Sequence, residues 1–511
     1  MEKRKVILVI AVVLLAGVLP YWLAVISGGT NYYFQGFLLN PIDGNSYLAK
    51  MYQGWAGSWK FVLPYTAQPG DGAYLFLFYL LLGHVARWLN LPLVLTFHIA
   101  RIISGIFLLL ILYKFYQFVF EYNPKLADRA FILSAVGSGL GWLVFLSGTL
   151  TSDYWVAEAY PFLSIFANPH FPLALALILS IFLVEAKGKG ISRLAILLVL
   201  GLFVSIILPF GLVIVALVLW VQTVWEWIKQ KKLEWQPFVF TLLAGGPFLL
   251  YQYWIILSDP VLSIWNAQNN TPAPPLWDLI LSFAPAIFFA IAGGYWIWRD
   301  HQMGKGARVL MTWFVIALIA IYFPFNLQRR FMLGFYIPTV ALAIVAIDKI
   351  NLSWPKTRGW LWTSVLILSI PTNLTLLLAE NFGIQSHSPI LYVSRSEKQA
   401  LNWIVKSTPP NDLILASPEM GLFIPSSTGR RVIYGHPFET VNASIEKTSV
   451  INFYSGTLSI TASDFYLKSK RVNLIFYGPR EQKIGNPDDL DRLNLVYQQG
   501  DVSVFAMDDS R

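Results

Sequence analysis

Cysteine is absent from this 511-residue chain, which removes disulfides, thiol nucleophiles and thiolate metal sites in one step. Charge is scarce too: only 13% of residues are Asp, Glu, Lys or Arg, against 56% that are hydrophobic. No Walker-type phosphate loop, Gly-x-Ser-x-Gly elbow or dinucleotide fingerprint occurs, which argues against a nucleotide-driven activity. A repeat of fixed period and a low-complexity linker are also missing. What remains is a series of apolar runs of about 18 residues or more, the length that crosses a bilayer core. The chain is therefore an α-helical polytopic membrane protein. Its formal charge of +9 lies in short loops between apolar runs, where orientation in the membrane accounts for it, so no nucleic-acid partner is implied.

Met1 to Lys5 precede a long apolar segment with no small-residue cleavage site, which predicts an anchored first span and a cytoplasmic amino terminus. Spans are expected near 6–27, 94–115, 129–148, 171–186, 193–208, 210–228, 237–257, 276–298, 308–325, 331–348 and 359–379, about eleven in all. The stretch 73–90 is ambiguous. If it crossed, the basic loops "AKGKGISR", "KQKK", "RDHQMGKGAR" and "DKINLSWPKTR" would all fall outside, against the positive-inside rule. If it lies along the outer surface, those loops join the amino terminus in the cytoplasm, and this reading is preferred. Pro209 in "LPFG" then breaks 193–228 into a hairpin.

This topology places 28–92, 149–170, 258–275, the link "FNLQRRF" and everything after about 380 on the outer face of a cell membrane. From 381 to 511 charges return, and β-like runs such as "DLILAS" and "VNLIFYG" alternate with helical patterns such as "SRSEKQALNWIVKS". The expected organisation is a transmembrane domain, 1–380, whose outer loop 28–92 carries juxtamembrane helices, followed by a small soluble α/β extracytoplasmic domain, 381–511.

Candidate chemistry gathers on the outer face. In "NPIDGNSYLAKMYQGWAGSW", residues 40–59, Asp43 stands at the mouth of the first span. Asp-Gly is an ordinary turn or capping pair; the functional alternatives are a general base or a metal ligand. The amphipathic stretch after it suits a helix lying in the interface. Asp153, Glu158 and His170 form a second polar set, of residue types that bind divalent cations, yet no spacing matches a His-Glu-x-x-His motif. His170 also fits a plain entry to the next span. Arg329 and Arg330 sit where the positive-inside rule does not want them; they anchor to lipid phosphates or bind a specific phosphate. His98 and Arg101, at an outer span end, meet a phosphate or snorkel. In the tail, "YGHPFET" offers His436 and Glu439 as acceptor contacts or, with Thr440, as a capping turn.

This pattern resembles the GT-C class of membrane glycosyltransferases, which includes protein O-mannosyltransferases and the aminoarabinose transferase of lipid A. The resemblance rests on Asp43 just after the first span, Tyr47, the Gly57–Trp59 "GSW" turn, the apolar segment 73–90, Ala100–Arg101 with a nearby "SG", and a soluble outer domain at the carboxyl end. It is strongest over residues 1–130 and architectural beyond. Gly44 stands where many members carry a second acid, and "QPGDG" where they carry Lys-Pro-Pro.

The resemblance implies inverting transfer of a sugar from a polyprenyl-phosphate donor to an acceptor hydroxyl on a protein, a glycan or a lipid. Asp43 would be the base, with the second acid from Asp153 or Glu158. Arg329 and Arg330, with Arg101 in reserve, would meet the phosphate; Tyr47, Trp59 and His170 would contact substrate. A divalent cation on Asp43, Glu158 and His170 is left open as a cofactor. The competing reading is a transporter or flippase of a lipid-linked or small substrate, which would show repeated halves and paired broken helices; the sequence shows one clear break, at Pro209.

Overall fold

The computed structural model describes residues 3–121, 123–231, 233–299, 304–354 and 359–507. Parts of three of the basic loops, at 232, 300–303 and 355–358, lie outside the described residues. Helices dominate because a chain in hydrocarbon must satisfy its backbone groups internally. The first five are α1 (Lys3–Ser27), α2 (Pro41–Trp55), α3 (Leu77–Trp88), α4 (Leu93–Val119) and α5 (Pro124–Val136).

Among the described residues, eight helices are long and apolar enough to cross a membrane, or nine if the bent pair Leu276–Phe283 and Ala286–Arg299 is one span. About eleven were expected, and the shortfall has local causes. The run 129–148 yields α5, which has only 13 residues and stops before Gly137. The run 308–325 yields Lys305–Ile321, of 17 residues. The run 276–298 bends by 85° at Pro285, whose ring carries no N–H for the helix ladder. The ambiguous stretch 73–90 forms α3, 12 residues long, too short to span. The hairpin appears as Gly190–Ile207 followed by Pro209–Gln230. Large apolar side chains lie open on these helices, among them Leu8, Leu250 and Trp254, as lipid-facing surfaces require and water would not permit.

The chain divides into two compact units. The first holds Met1–Pro20, His98–Tyr251 and Thr271–Asn381; the second holds Tyr21–Phe97, Gln252–Asn270 and Phe382–Arg511. The compact second unit thus groups the first outer loop and the segment 252–270 with the tail.

Within the first unit, Glu185 pairs with Lys305 at 2.5 Å and Arg193 at 3.3 Å, and Glu226 pairs with Arg308 at 3.3 Å. These contacts tie the ends of four helices.

Two pairings build the second unit. Strand β1 (Tyr32–Phe34) of the outer loop lies antiparallel to β2 (Tyr392–Ser394) of the tail, with Tyr32 opposite Ser394. The tail itself carries β3 (Leu413–Leu415), β4 (Arg431–Val432), β5 (Leu474–Tyr477), β6 (Asn494–Gln499) and β7 (Val502–Ala506) in the order β4-β3-β5-β7-β6. The first three are parallel, and β7 runs antiparallel to both neighbours. Tyr65 of the outer loop is fully buried in the core beneath this sheet, and Ile42 of α2 packs on it. Helices α2 and α3 touch backbone to backbone: a Cβ on Gly54 or Gly83 would lie 2.0 Å from the carbonyl oxygen of Leu80 or Met51 respectively.

Candidate active site

Helix α2 starts at Pro41, whose fixed φ suits a first turn, so Asp43 is in that turn and not at the cap; Asn40 holds the cap position. A carboxylate there is favoured by the helix dipole. Asp43, Ser46 and Lys50, spaced three and four apart, share one face. Asp43 is half-exposed, at 49% of its side chain, and its Oδ1 lies 3.5 Å from Nε2 of His436, which is 2% exposed. Lys50 is fully buried and reaches Oε1 of Glu439 at 2.5 Å, and it also donates to Ser46. Ser46 donates to the same Glu439 oxygen at 2.5 Å. The Lys50 ammonium lies 4.4 Å from the Phe76 ring centroid and 5.3 Å from that of Phe61, within cation–π range.

Burial pushes the Glu439 carboxyl up; the Lys50 ammonium and the bonds from Lys50 and Ser46 outweigh it and hold the group below the usual carboxylate range. Burial, with Glu439 and Asp43 nearby, drives the Tyr65 hydroxyl well above its ordinary value, so this phenol stays neutral. In the tail segment Thr440 Oγ1 accepts from the N–H groups of Gly435 and His436, but it caps no helix, because the next one begins at Ala443 with Asn442 at its cap. Sequence reading named His436 and Glu439 without joining them to α2, and missed Lys50. The signal available was the Asp43, Ser46, Lys50 spacing.

Gly44 has a physical reason. A Cβ there would stand 2.2 Å from the Phe37 ring, so the second acid that the sequence resemblance would place here does not fit at this position. Tyr47 stacks on Tyr79 at 4.3 Å and Trp59 on His84 at 4.0 Å.

The first unit holds the other candidates. Glu158 accepts from Arg330 Nη1 at 3.2 Å; Arg330 is 32% exposed and Glu158 nearly buried. The Arg329 guanidinium lies over Trp155 at 4.4 Å, while the backbone N–H of Arg329 donates to the Thr271 carbonyl. Asp153 is fully buried. Its oxygens accept from Thr151 at 2.6 Å, the Gly141 N–H at 3.0 Å and Ser282 at 3.3 Å, and burial raises its carboxyl to about 6. Asp278, which the sequence reading passed over, accepts from the Ser152 N–H and hydroxyl at 2.8 Å each and from Ser282 at 2.7 Å. Together these acids knot the loop around 151–153 to Leu276–Phe283. Arg101 Nη1 donates to the carbonyls of Gly17, Ile165 and Phe166, and its Nε to His98, so that guanidinium clamps three segments. His170 opens the helix His170–Lys187 with its ring 3.9 Å from Phe171. Among the described residues, no group of three or more His, Asp or Glu side chains could hold a metal ion.

No protein-family model matches the sequence, and no curated protein sequence does. Solved structures do. The oligosaccharyltransferase of Archaeoglobus fulgidus in its apo form is similar at 14% identity and a TM-score of 0.57, over 96% of this chain and 72% of that one. ArnT of Cupriavidus metallidurans bound to undecaprenyl phosphate is similar at 12% identity and a TM-score of 0.54, over 99% and 98%. The mycobacterial arabinofuranosyltransferase AftD is similar at 13% identity and a TM-score of 0.53, over 99% of this chain but 40% of its own length. These neighbours are GT-C glycosyltransferases, and the fold of this chain is the GT-C fold.

Proposed function

We propose that the chain is a glycosyltransferase that moves a sugar from a polyprenyl-phosphate donor to an acceptor hydroxyl at the outer face of a cell membrane, with Asp43 as general base. The observation that carries this reading is Asp43 itself: a half-exposed carboxylate on the first turn of α2, backed by buried His436 and the buried Lys50–Glu439 pair. A general base must be reachable by substrate yet held in place, and this acid meets both conditions. The ArnT neighbour with bound undecaprenyl phosphate supports a lipid-linked donor.

In the reaction, Asp43 takes the proton of the acceptor hydroxyl as its oxygen attacks the anomeric carbon. The bond from that carbon to the phosphate oxygen breaks with inversion, and the lipid phosphate leaves with the electron pair. Negative charge grows on that phosphate, and preorganised cations stabilise it. A divalent cation does not suit the surroundings of Asp43. The Lys50 ammonium already sits on Glu439, and His436 turns a donor, not a lone pair, toward Asp43. No step is routed through a metal.

The test is sugar transfer from a panel of polyprenyl-phosphate sugars by purified protein in lipid, comparing wild type with Asp43→Asn, with and without chelator. Turnover lost in the variant with donor binding intact is the expected result. A variant as active as wild type, or a wild type that turns over no donor, overturns the reading and favours a flippase or transporter. Chelator sensitivity would overturn the metal-free step.

A further inference from the structure

We propose that His436 is a positioning residue for Asp43: a neutral imidazole, locked in one tautomer by the tail, that aims the carboxylate without neutralising it. The inference rests on Asp43 acting as the base and assigns a part in that chemistry to the carboxyl-terminal body.

The tautomer follows from the backbone. Nδ1 of His436 accepts from the N–H groups of Phe438 and Glu439, both at 3.1 Å. A ring nitrogen that accepts must carry its lone pair, so the proton resides on Nε2. That Nε2–H belongs to a ring 2% exposed and lies 3.5 Å from Asp43 Oδ1. The spacing is beyond a firm hydrogen bond, and Nε2 has no hydrogen-bond partner among the described residues. A buried donor without a bond is costly, and Asp43 is the acceptor at hand to relieve it. Contacts of this kind shorten when substrate loads a site.

The loop is held by the helix it serves. Glu439 gives its N–H to His436 Nδ1 while its carboxylate is gripped by Lys50 and Ser46 of α2. Lys50 and Asp43 thus lie at two ends of one circuit: α2 clamps Glu439, Glu439 fixes the imidazole, and the imidazole faces Asp43. Tyr65 packs against the ring at 5.6 Å and stays neutral. A charged imidazolium here would form a full ion pair with Asp43 and take basicity from it; a neutral N–H directs one carboxylate oxygen and leaves the other to the acceptor.

The experiment measures kcat and KM with the same donor panel for wild type, Asp43→Asn, His436→Asn and His436→Gln, with a melting curve for each. The Asn carboxamide oxygen can accept the two backbone N–H groups but its amide cannot reach Asp43; Gln can. His436→Asn is expected to melt like wild type and to lose about 10- to 100-fold in kcat, the worth of one hydrogen bond to a charged group, with donor KM within about twofold. His436→Gln should recover most of that loss. A His436→Asn enzyme with wild-type kcat beside an inactive Asp43→Asn overturns this inference and leaves the base assignment standing. Equal losses in both His436 variants accompanied by lowered melting overturn it in favour of a purely structural ring. An active Asp43→Asn overturns the base assignment itself, and the inference with it.

Discussion

At the scale of single residues, the sequence made Asp43 conspicuous and hid what surrounds it. An acid at a span mouth stands out against an apolar background, but its supports come from His436 and Glu439, 389 positions beyond Lys50 in the case of the ion pair, and nothing local announces that pairing. The pair has a measurable consequence. Lys50→Met leaves the Glu439 carboxylate buried without its cation, which costs about 3–5 kcal/mol, whereas replacing both partners with apolar residues recovers much of it. A Lys50→Met, Glu439→Leu double variant should therefore melt well above Lys50→Met alone, yet stay slow in transfer because the His436 loop has lost its clamp. Asp153 is a different kind of acid. Its folded carboxyl sits near 6 against an ordinary 3.8, so its contribution to stability is complete below about pH 4 and is lost as pH rises through 6. That loss is roughly 3 kcal/mol at about 1.4 per pH unit. Asn can turn its oxygen to the Gly141 N–H and its amide to Thr151, so Asp153→Asn should fold, and the difference between its melting point and that of wild type should grow in its favour from pH 4 to 6. A constant difference across that range would show that the group is not buried as described.

At the scale of elements, length and hydropathy were legible and breaks were not. The short α3 was foreseeable because an added crossing would have reversed every basic loop. The early end of α5 and the bend at Pro285 turned on Gly and Pro inside apolar runs whose composition still averages as a span. The same limit applies to α2. Its amphipathic character was plain, but the reason for Gly44 lay in Phe37, which is 1% exposed and packs edge-on to Phe97 at 5.0 Å. Alanine is ordinarily better than glycine within a helix by about 1 kcal/mol. Here a Cβ at 2.2 Å from the Phe37 ring reverses the sign, and Gly44→Ala should destabilise by about 1–3 kcal/mol through overpacking. Adding Phe37→Leu should return part of that loss. A stable Gly44→Ala with no change in melting would remove the steric account of the missing second acid.

At the scale of the whole molecule, the composition of the second unit constrains the number of crossings more tightly than helix length does. Residues 21–97, 252–270 and 382 onward form one compact unit, so all three must emerge on the same side of the membrane, and an even number of crossings must separate each from the next. Between the first two lie α4, His170–Lys187, Gly190–Ile207, Pro209–Lys229 and Gln236–Ser258, five long apolar helices; evenness demands that α5 cross as well. Between the last two lie the bent pair, Tyr336–Ser353 and Trp360–Gln385; where the bent pair is one span, evenness demands that Lys305–Ile321 cross. With α1, and with the bent pair taken as one span, the evenness condition calls for eleven crossings, the number expected from the sequence, two of them by helices too short to be recognised by length. A thinner bilayer around these helices, or burial among neighbours, lets them span. The absence of cysteine makes the test clean. Single cysteines at Ser192 and Lys125 should react with a membrane-impermeant maleimide only after the cytoplasmic side is opened, and one at Ser455 only from outside. Outside labelling at Ser192, with Lys125 protected and Ser455 outside, would mean that α5 does not cross, and would break either the evenness argument or the unity of the second unit.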